Sequence, residues 1–525
     1  VDQHQEHQIS GAFGSIGSHD TGSRKGIRAR LLTLLAIIGP GLIVMVGDND
    51  AGGVSTYAQA GQDFGYTLLW TLPLLIPVLV VVQEMVARLG AVTGVGHGRL
   101  IRERFGRTWG NVSISSILFL NFLIIITEFI GISLSMRYFG ISPFYSVPTA
   151  VALLFAVTAS GSFQRWERFM MLFVAVNFVI VPLVLSAHPR MGAVASHFVV
   201  PGIRGGATSA AVLLIISIIG TTVAPWQLYF QQSNIVDKKI TPRWLNYERV
   251  DTVLGSFIVV VGAGAIIATT AALAPHGTTT SFHDALGIAH GLTRFVGHGS
   301  GALFAVLLLN SSVIGAAAVT LASSYALGDF SSNALSASLN SRLRDAKGFF
   351  GAFAALLALA GTVALIPHAP LGLITLAVQA ICGLMLPSTT INVLLLCNDR
   401  ELMGPWINTK WLNVVAVTIV STLVVLSITM MVSTLFTGVN VVALLSTLFA
   451  IAGVCLVVGL TIGLRRQAPA TPYSGDRRDW RTPRLALLAP PPASRARRLL
   501  MRAQFVYLSV AGALLVVRII QLATS

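Results

Sequence analysis

Long apolar runs separated by short polar ones fill most of the chain, and the runs have membrane dimensions. With about 20 apolar residues as the length that crosses a hydrocarbon core, helices are predicted over 31–60, 66–89, 112–138, 147–161, 168–187, 208–232, 252–274, 299–326, 348–367, 370–397, 412–436 and 439–464. A thirteenth apolar stretch, 504–522, contains Arg518 and is expected to be a span or an interfacial helix. Two runs are interrupted. In the first, Gly39-Pro40-Gly41 leads to Val46, and then come Asp48, Asn49, Asp50 and the pair Gly52-Gly53 before apolar character returns. A carboxylate at bilayer depth is costly unless a cation, a partner or water compensates it, and paired glycines weaken a helix. Asp48 and Asp50 are therefore candidate functional groups; charge at a membrane edge is the plainer reading. In the sixth run, Thr221-Thr222-Val223-Ala224-Pro225-Trp226-Gln227 carries a proline with no N–H to return to the Thr221 carbonyl. A carbonyl freed at that depth is a cation ligand in waiting, with an ordinary proline kink as the alternative.

The breaks fall in the first and sixth helices, five apart. Interrupted spans at corresponding positions of two five-helix halves point to an inverted-repeat secondary transporter with its site near the midplane. The repeat is inferred from spacing, because the halves share no evident sequence identity.

Composition agrees with a polytopic, all-α membrane protein: 525 residues, 54% hydrophobic and only 10% charged, where a soluble domain carries about a quarter. The net charge of +15 does not imply nucleic acid, because Lys and Arg sit in short loops between spans. Arg24, Lys25, Arg28 and Arg30, then Arg99, Arg102, Arg104 and Arg107, then Lys238, Lys239, Arg243 and Arg249 mark one side; the other has Arg137, Arg190, Arg204 and Arg294. This bias places the N-terminus in the cytoplasm of a cell (inner or plasma) membrane. Residues 1–29 read as a disordered cytoplasmic tail, 30–400 as the ten-helix core, and 401–464 as helices eleven and twelve. Residues 465–502 read as an extended Arg/Pro-rich cytoplasmic linker able to lie on anionic lipid, and 503–525 as the possible thirteenth helix. Cys382, Cys397 and Cys455 lack metal-ligand spacing and suggest core packing.

Several motifs resemble the NRAMP family of divalent metal transporters, most closely its magnesium-transporter branch: Gly39-Pro40-Gly41 through Asp50, Gln59-Ala60-Gly61, Phe64-Gly65-Tyr66, Ala87-Arg88-Leu89-Gly90 and Asp399-Arg400-Glu401-Leu402-Met403-Gly404. The likeness is collinear over about 32–435 and implies a leucine-transporter-type fold with alternating access. Where that family has Asp-Pro-Gly-Asn and Met-Pro-His, this chain has Asp50-Ala51-Gly52-Gly53 and Ala224-Pro225-Trp226. The resemblance thus implies a metal site of Asp50, Gly53, Thr221, Ala224, Gln227 and Gln379, with Asp48, Trp226 and Glu128 as accessory residues. Gly53 replaces an asparagine ligand and Ala224 a thioether, the soft donor that favours transition metals. An all-oxygen, widened site suits partly hydrated Mg²⁺, which gives up water reluctantly, and also Mn²⁺. Gln379 bonded to a neighbouring helix, Trp226 as simple packing and Glu128 in a buried ion pair are the plainer readings of those three. For Glu84, an i,i+4 partnership with Arg88 is expected.

Proton-coupled members resemble this chain at Glu128 but carry an Asp at the position of Ile125 and histidines at those of Trp226 and Gln231. The sixth helix has no group that titrates near neutral pH, so uncoupled, uniporter-like entry of Mg²⁺ or Mn²⁺ is expected. Membrane potential permits it, at roughly 2.3 kcal/mol per charge per 100 mV. Rival expectations are a proton-coupled Mn²⁺ or broad-range symporter, an aluminium carrier, an amino-acid carrier, which Asp50 opposes, and an intramembrane enzyme, for which no His-Glu-x-x-His or Gly-x-Ser-x-Gly is present. His97, His188, His197, His276, His283, His290, His298 and His368 fall in or beside loops and are expected mostly to be solvated. Lipid and the metal ion are the expected partners, the ion being cargo and no cofactor being expected; the chain is expected to be monomeric.

Overall fold

The computed structural model describes residues 8–18, 20, 22, 26–276, 284–330, 338–436, 438–466, 473–488 and 495–524. A hairpin, β1 (Gln8–Gly11) and β2 (Gly14–Gly17), precedes the helices. The first half then comprises α1 (Ile27–Ile37), α2 (Pro40–Gly47), α3 (Ala51–Phe64), α4 (Leu75–Thr93), α5 (His97–Phe105), α6 (Arg107–Tyr138), α7 (Pro143–Thr158), α8 (Phe163–Val176), α9 (Ile180–Ala187) and α10 (Met191–Val199). After it come α11 (Ser209–Thr222), α12 (Pro225–Asp237), α13 (Leu245–Thr270), α14 (Ala285–Phe295), α15 (His298–Phe330), α16 (Lys347–Ala364) and α17 (Leu371–Cys397). The short α18 (Arg400–Met403), then α19 (Lys410–Leu435), α20 (Val441–Arg466) and α21 (Arg495–Thr524) complete the chain. Among the described residues ten helices are long and apolar enough to cross a membrane, and the bent pair α1–α2 adds an eleventh when counted as one span.

Every predicted span falls on one or more of these helices, although α7, on the 147–161 run, is shorter than a candidate span, and local chemistry sets many of their starts. Ser142, Ser162, Thr208 and Thr409 each accept a first-turn N–H of the helix they precede, supplying the oxygen that an exposed helix start lacks. The first span is broken twice rather than once: α1 and α2 meet at 58° around Ile38-Gly39, and α2 and α3 are separated by Asp48, Asn49 and Asp50. The sixth is broken between α11 and α12. The two broken spans lie among α4, α6, α13, α15 and α17: α2 and α3 pack on α13, α12 on α4 and α15, α11 on α17, and α6 runs along α15.

The expectation of a disordered 1–29 is corrected in its described part. Ile9 is fully buried, the Ala12 N–H donates to Glu167, and the Ser18 carbonyl accepts from Thr241 and Trp244. Arg24 and Lys25 lie outside the described residues. The 465–502 linker is corrected likewise. In 473–488, Thr482 donates to the carbonyls of Val92 and Leu402, Arg481 to that of Ala91, and the Arg477 guanidinium lies 4.0 Å over the Trp406 ring. A short sequence of mixed composition carries little periodicity, so neither docking is visible without the surface that receives it. The 504–522 stretch belongs to α21, whose Gln504 and Tyr507 bond carbonyls of α17. Glu84 meets Arg88 as expected and also Arg249, at 2.7 Å.

Candidate functional site

Both breaks expose helix ends to one another. Asp50 has extended backbone at the start of α3, and its Oδ1 accepts the Gly53 N–H at 2.7 Å. Glu128, from the middle of α6, accepts the Ala51 N–H at 3.1 Å. Two carboxylates thus take up N–H groups of the first turn of α3, where the helix dipole favours negative charge. The ion pair considered for Glu128 is absent among the described residues; the side chain is turned to the first break.

The second break lies against the first. Tyr57 on α3 hydrogen-bonds Thr222 at the end of α11, at 2.7 Å, and a Cβ placed on Gly53 would lie 3.4 Å from Thr221 Oγ1. Ala224 occupies the start of α12 with extended backbone and 2% exposure. Pro225, next in the chain, returns no N–H to the Thr221 carbonyl. Gly220 and Gly383 let α11 and α17 approach backbone to backbone, with a Cβ on Gly220 falling 2.7 Å from the Gly383 Cα. That approach sets Gln379 of α17 against the first break, where its amide occupies the space a Gly52 side chain would need.

Beneath the first break Trp226 is fully buried, 5.9 Å edge-on to Phe230, with its ring against Gly47. It packs as a tryptophan packs, yet its Nε1 has no partner. Gln227 does not turn towards Asp50. Its amide N–H donates to Asp48 Oδ1, and its Oε1 accepts from Gln83 Nε2 at 2.9 Å. Gln83 on α4 was not singled out from the sequence; the signal available was an amide inside an apolar span.

Buried polar atoms without a partner among the described residues gather around these helix ends: Asp48 Oδ2, Gln83 Oε1, Glu128 Oε1, Thr221 Oγ1, Gln379 Nε2 and Trp226 Nε1. Each unpaired buried group costs about 1–3 kcal/mol, so such a concentration calls for an occupant. Among the described residues no three His, Cys, Asp or Glu converge as a metal cage. The available donors are instead the two carboxylates of Asp50 and Glu128 supplemented by carbonyl, amide and hydroxyl oxygens, a set that suits hard cations that keep water.

The basic-loop ends of the broken helices are held by a buried charge cluster that the sequence did not reveal. Asp251 on α13 accepts from the N–H groups of Gly39, Gly41 and Leu42 at 3.1, 2.8 and 3.1 Å, capping α2. Lys238 pairs with Glu167 at 2.6 Å, both side chains fully buried. His97, expected in solvent, is fully buried, with Nδ1 2.8 Å from Gln232 on α12. Burial pulls its pKa down to about 4. His283 lies outside the described residues.

Comparison with known proteins follows the same lines. The chain is 28% identical over 423 residues to a protein of Burkholderia ambifaria named divalent metal cation transporter MntH, covering 78% of this chain and 90% of that one. It is 29% identical over 413 residues to the Xylella fastidiosa protein of the same name, covering 75% and 84%. The structure superposes on the Eremococcus coleocola manganese transporter with a TM-score of 0.60 at 22% identity, covering 85% of this chain and 98% of that one. That likeness carries the fold, the leucine-transporter type with broken first and sixth helices. The family described as natural resistance-associated macrophage protein-like matches residues 41–433, well over half of the 525, and the chain belongs to this Nramp family.

Proposed function

We propose that the protein is a secondary transporter that carries divalent metal ions, Mg²⁺ with part of its hydration shell as well as Mn²⁺, into the cytoplasm by alternating access and without proton coupling. The face bearing the basic loops is the cytoplasmic one in this reading. Asp50 is the charged ligand, the Thr221 carbonyl and Gln379 supply neutral donors, and Gly53 and Ala224 leave room for retained water. The observation that carries it is the donor set: Asp50 starts a helix whose first turns lie against a second break, at which position 224 offers a methyl group in place of a thioether, so hard, hydrated ions lose nothing to softer competitors. The relatives named as divalent metal cation transporters support the cargo class.

Uncoupled entry is supported by what surrounds the sixth helix. Gln231 is a neutral amide bonded to Thr252 and Glu248, and His97, beside Gln232, stays uncharged at neutral pH because burial holds its pKa near 4. One observation favours the alternative of a proton-coupled Mn²⁺ symporter: Glu128 presents an unpartnered oxygen next to Asp50, a second titratable group at the site.

The test is metal influx into proteoliposomes, with Mg²⁺ and Mn²⁺ as substrates, a pH reporter inside the vesicles, and Asp50→Ala alongside. Entry of both ions without acidification, abolished in the variant, is the expected result. Entry of Mn²⁺ alone accompanied by protons refutes this reading in favour of the symporter.

A further inference from the structure

Asp48 and Asp50 are two residues apart but sit at opposite kinds of helix end. Asp50 starts α3, where N–H groups and the positive end of the dipole stabilise its charge. Asp48 follows the last residue of α2 and closes that helix, with its own N–H on the carbonyls of Met45 and Val46. A carboxylate there meets the negative end of a helix dipole, the unfavourable sign. It is fully buried, its Oδ2 has no partner, and among the described residues no Lys, Arg or His pairs with it. Among the described residues its one side-chain neighbour by hydrogen bond is Gln227, which Gln83 holds in turn. Gln83 and Gln227 are also fully buried, and Gln83 Oε1 is unpartnered. Three polar side chains, at the end of α2 and on α4 and α12, thus enclose one carboxyl group and two unused oxygens, with no basic side chain bonded to it among the described residues.

Their position differs from that of the Asp50 site. Asp48 ends α2 and Gln227 begins α12, the two half-helices that lead from the breaks to the basic loops, whereas Asp50 begins α3, which leads the other way. We infer that Asp48, Gln83 and Gln227 form a second divalent-cation station, one step beyond Asp50 towards the basic-loop face, where the partly hydrated ion rests before release. The carboxylate supplies the charge and the two carboxamide oxygens, reached once the amides turn, supply hard donors; the carbonyl end of α2 adds attraction for a cation. An ion leaving Asp50 then passes to a second carboxylate instead of entering an apolar wall. The inference rests on the reading that Asp50 holds the first ion, and the experiment separates the two.

Binding of Mn²⁺ to the purified full-length chain is measured by equilibrium dialysis, with Mg²⁺ as competitor. Two ions per wild-type chain are expected, one per chain in Asp48→Asn and in Asp50→Asn, and none in the double variant. Gln83→Glu adds a carboxylate to the station and should tighten the ion that survives Asp50→Asn by roughly tenfold, since ligand charge sets affinity for such ions; a gain of this kind cannot come from misfolding. A single wild-type ion that Asp48→Asn leaves in place, or an unchanged affinity in Gln83→Glu, overturns the station and leaves the Asp50 site intact. Two ions retained by Asp50→Asn overturn the Asp50 site instead.

Discussion

Replacing Lys238 by methionine tests how the basic-loop end of the first helix is held. The three ammonium protons have three acceptors: Glu167 Oε1 at 2.6 Å and the carbonyls of Ile37 and Ile38 at 2.8 and 3.0 Å. Those carbonyls lie at the end of α1, where the 58° bend leaves them without helical partners. Methionine fits the stem of lysine but leaves a buried carboxylate and two orphaned carbonyls. Breaking a fully buried pair by removing one partner costs about 3–5 kcal/mol, and the carbonyls share in that cost, so their loss is not added to it. Glu167→Gln in the same background removes the stranded charge, while its amide oxygen can still accept the Ala12 N–H that Glu167 now holds. The double variant should therefore recover about 2 kcal/mol or more relative to Lys238→Met. The assay is a double-mutant cycle on detergent-solubilised protein, unfolded reversibly by SDS and followed by tryptophan fluorescence. A cost below about 1 kcal/mol for Lys238→Met, in the range of exposed pairs, or strictly additive single effects, would refute the reasoning.

Four further outcomes are expected. Gly53→Asn restores the residue found in the NRAMP motif but sets a Cβ 2.7 Å from the Asp48 carbonyl oxygen, so its melting temperature should fall, whereas Ala224→Met, which already has its Cβ, should fold and shift competition between Mn²⁺ and Mg²⁺ influx towards Mn²⁺. His97 is held near pKa 4 by burial, against about 6.5 in an unfolded chain, so the unfolded state takes up the proton first. Its stabilisation is complete above pH 6.5 and is lost as pH falls towards 4, about 2 kcal/mol of it by pH 5 at roughly 1.4 kcal/mol per unit; equilibrium unfolding of wild type against His97→Gln at pH 7.5 and 5 reads the difference. Cys382 lies one turn from Gln379 on α17, buried, and Cys382→Ser should leave the ratio of Mn²⁺ to Mg²⁺ influx unchanged, because the site described has only oxygen ligands; a fall in that ratio would show sulfur taking part.

What the sequence made legible was whatever leaves a mark on local pattern. A charge or a proline inside an apolar run stands out against its neighbours, and so Asp48, Asp50 and Pro225 announced both breaks before any contact was known. Asp251, Lys238 and Glu167 left no such mark: at the margins of their spans they look like topology signals, and only folding reveals that they meet each other and the backbone of residues 37–42. The same holds for His97, whose partner Gln232 is 135 residues away, and for Ile9 and Trp480, buried or docked by surfaces built elsewhere in the chain. Gln83 is the intermediate case. One amide in an apolar span is a weak signal, because a neighbouring helix can satisfy it; it gains meaning only when Gln227 and Asp48 are found beyond it and an oxygen remains unused. The polar atoms that pattern exposes are those that break a helix, and the ones it hides are those that complete the other helix's broken end. A site built between two broken helices needs both, which is why sequence alone located the breaks yet misdirected Gln227 to Asp50.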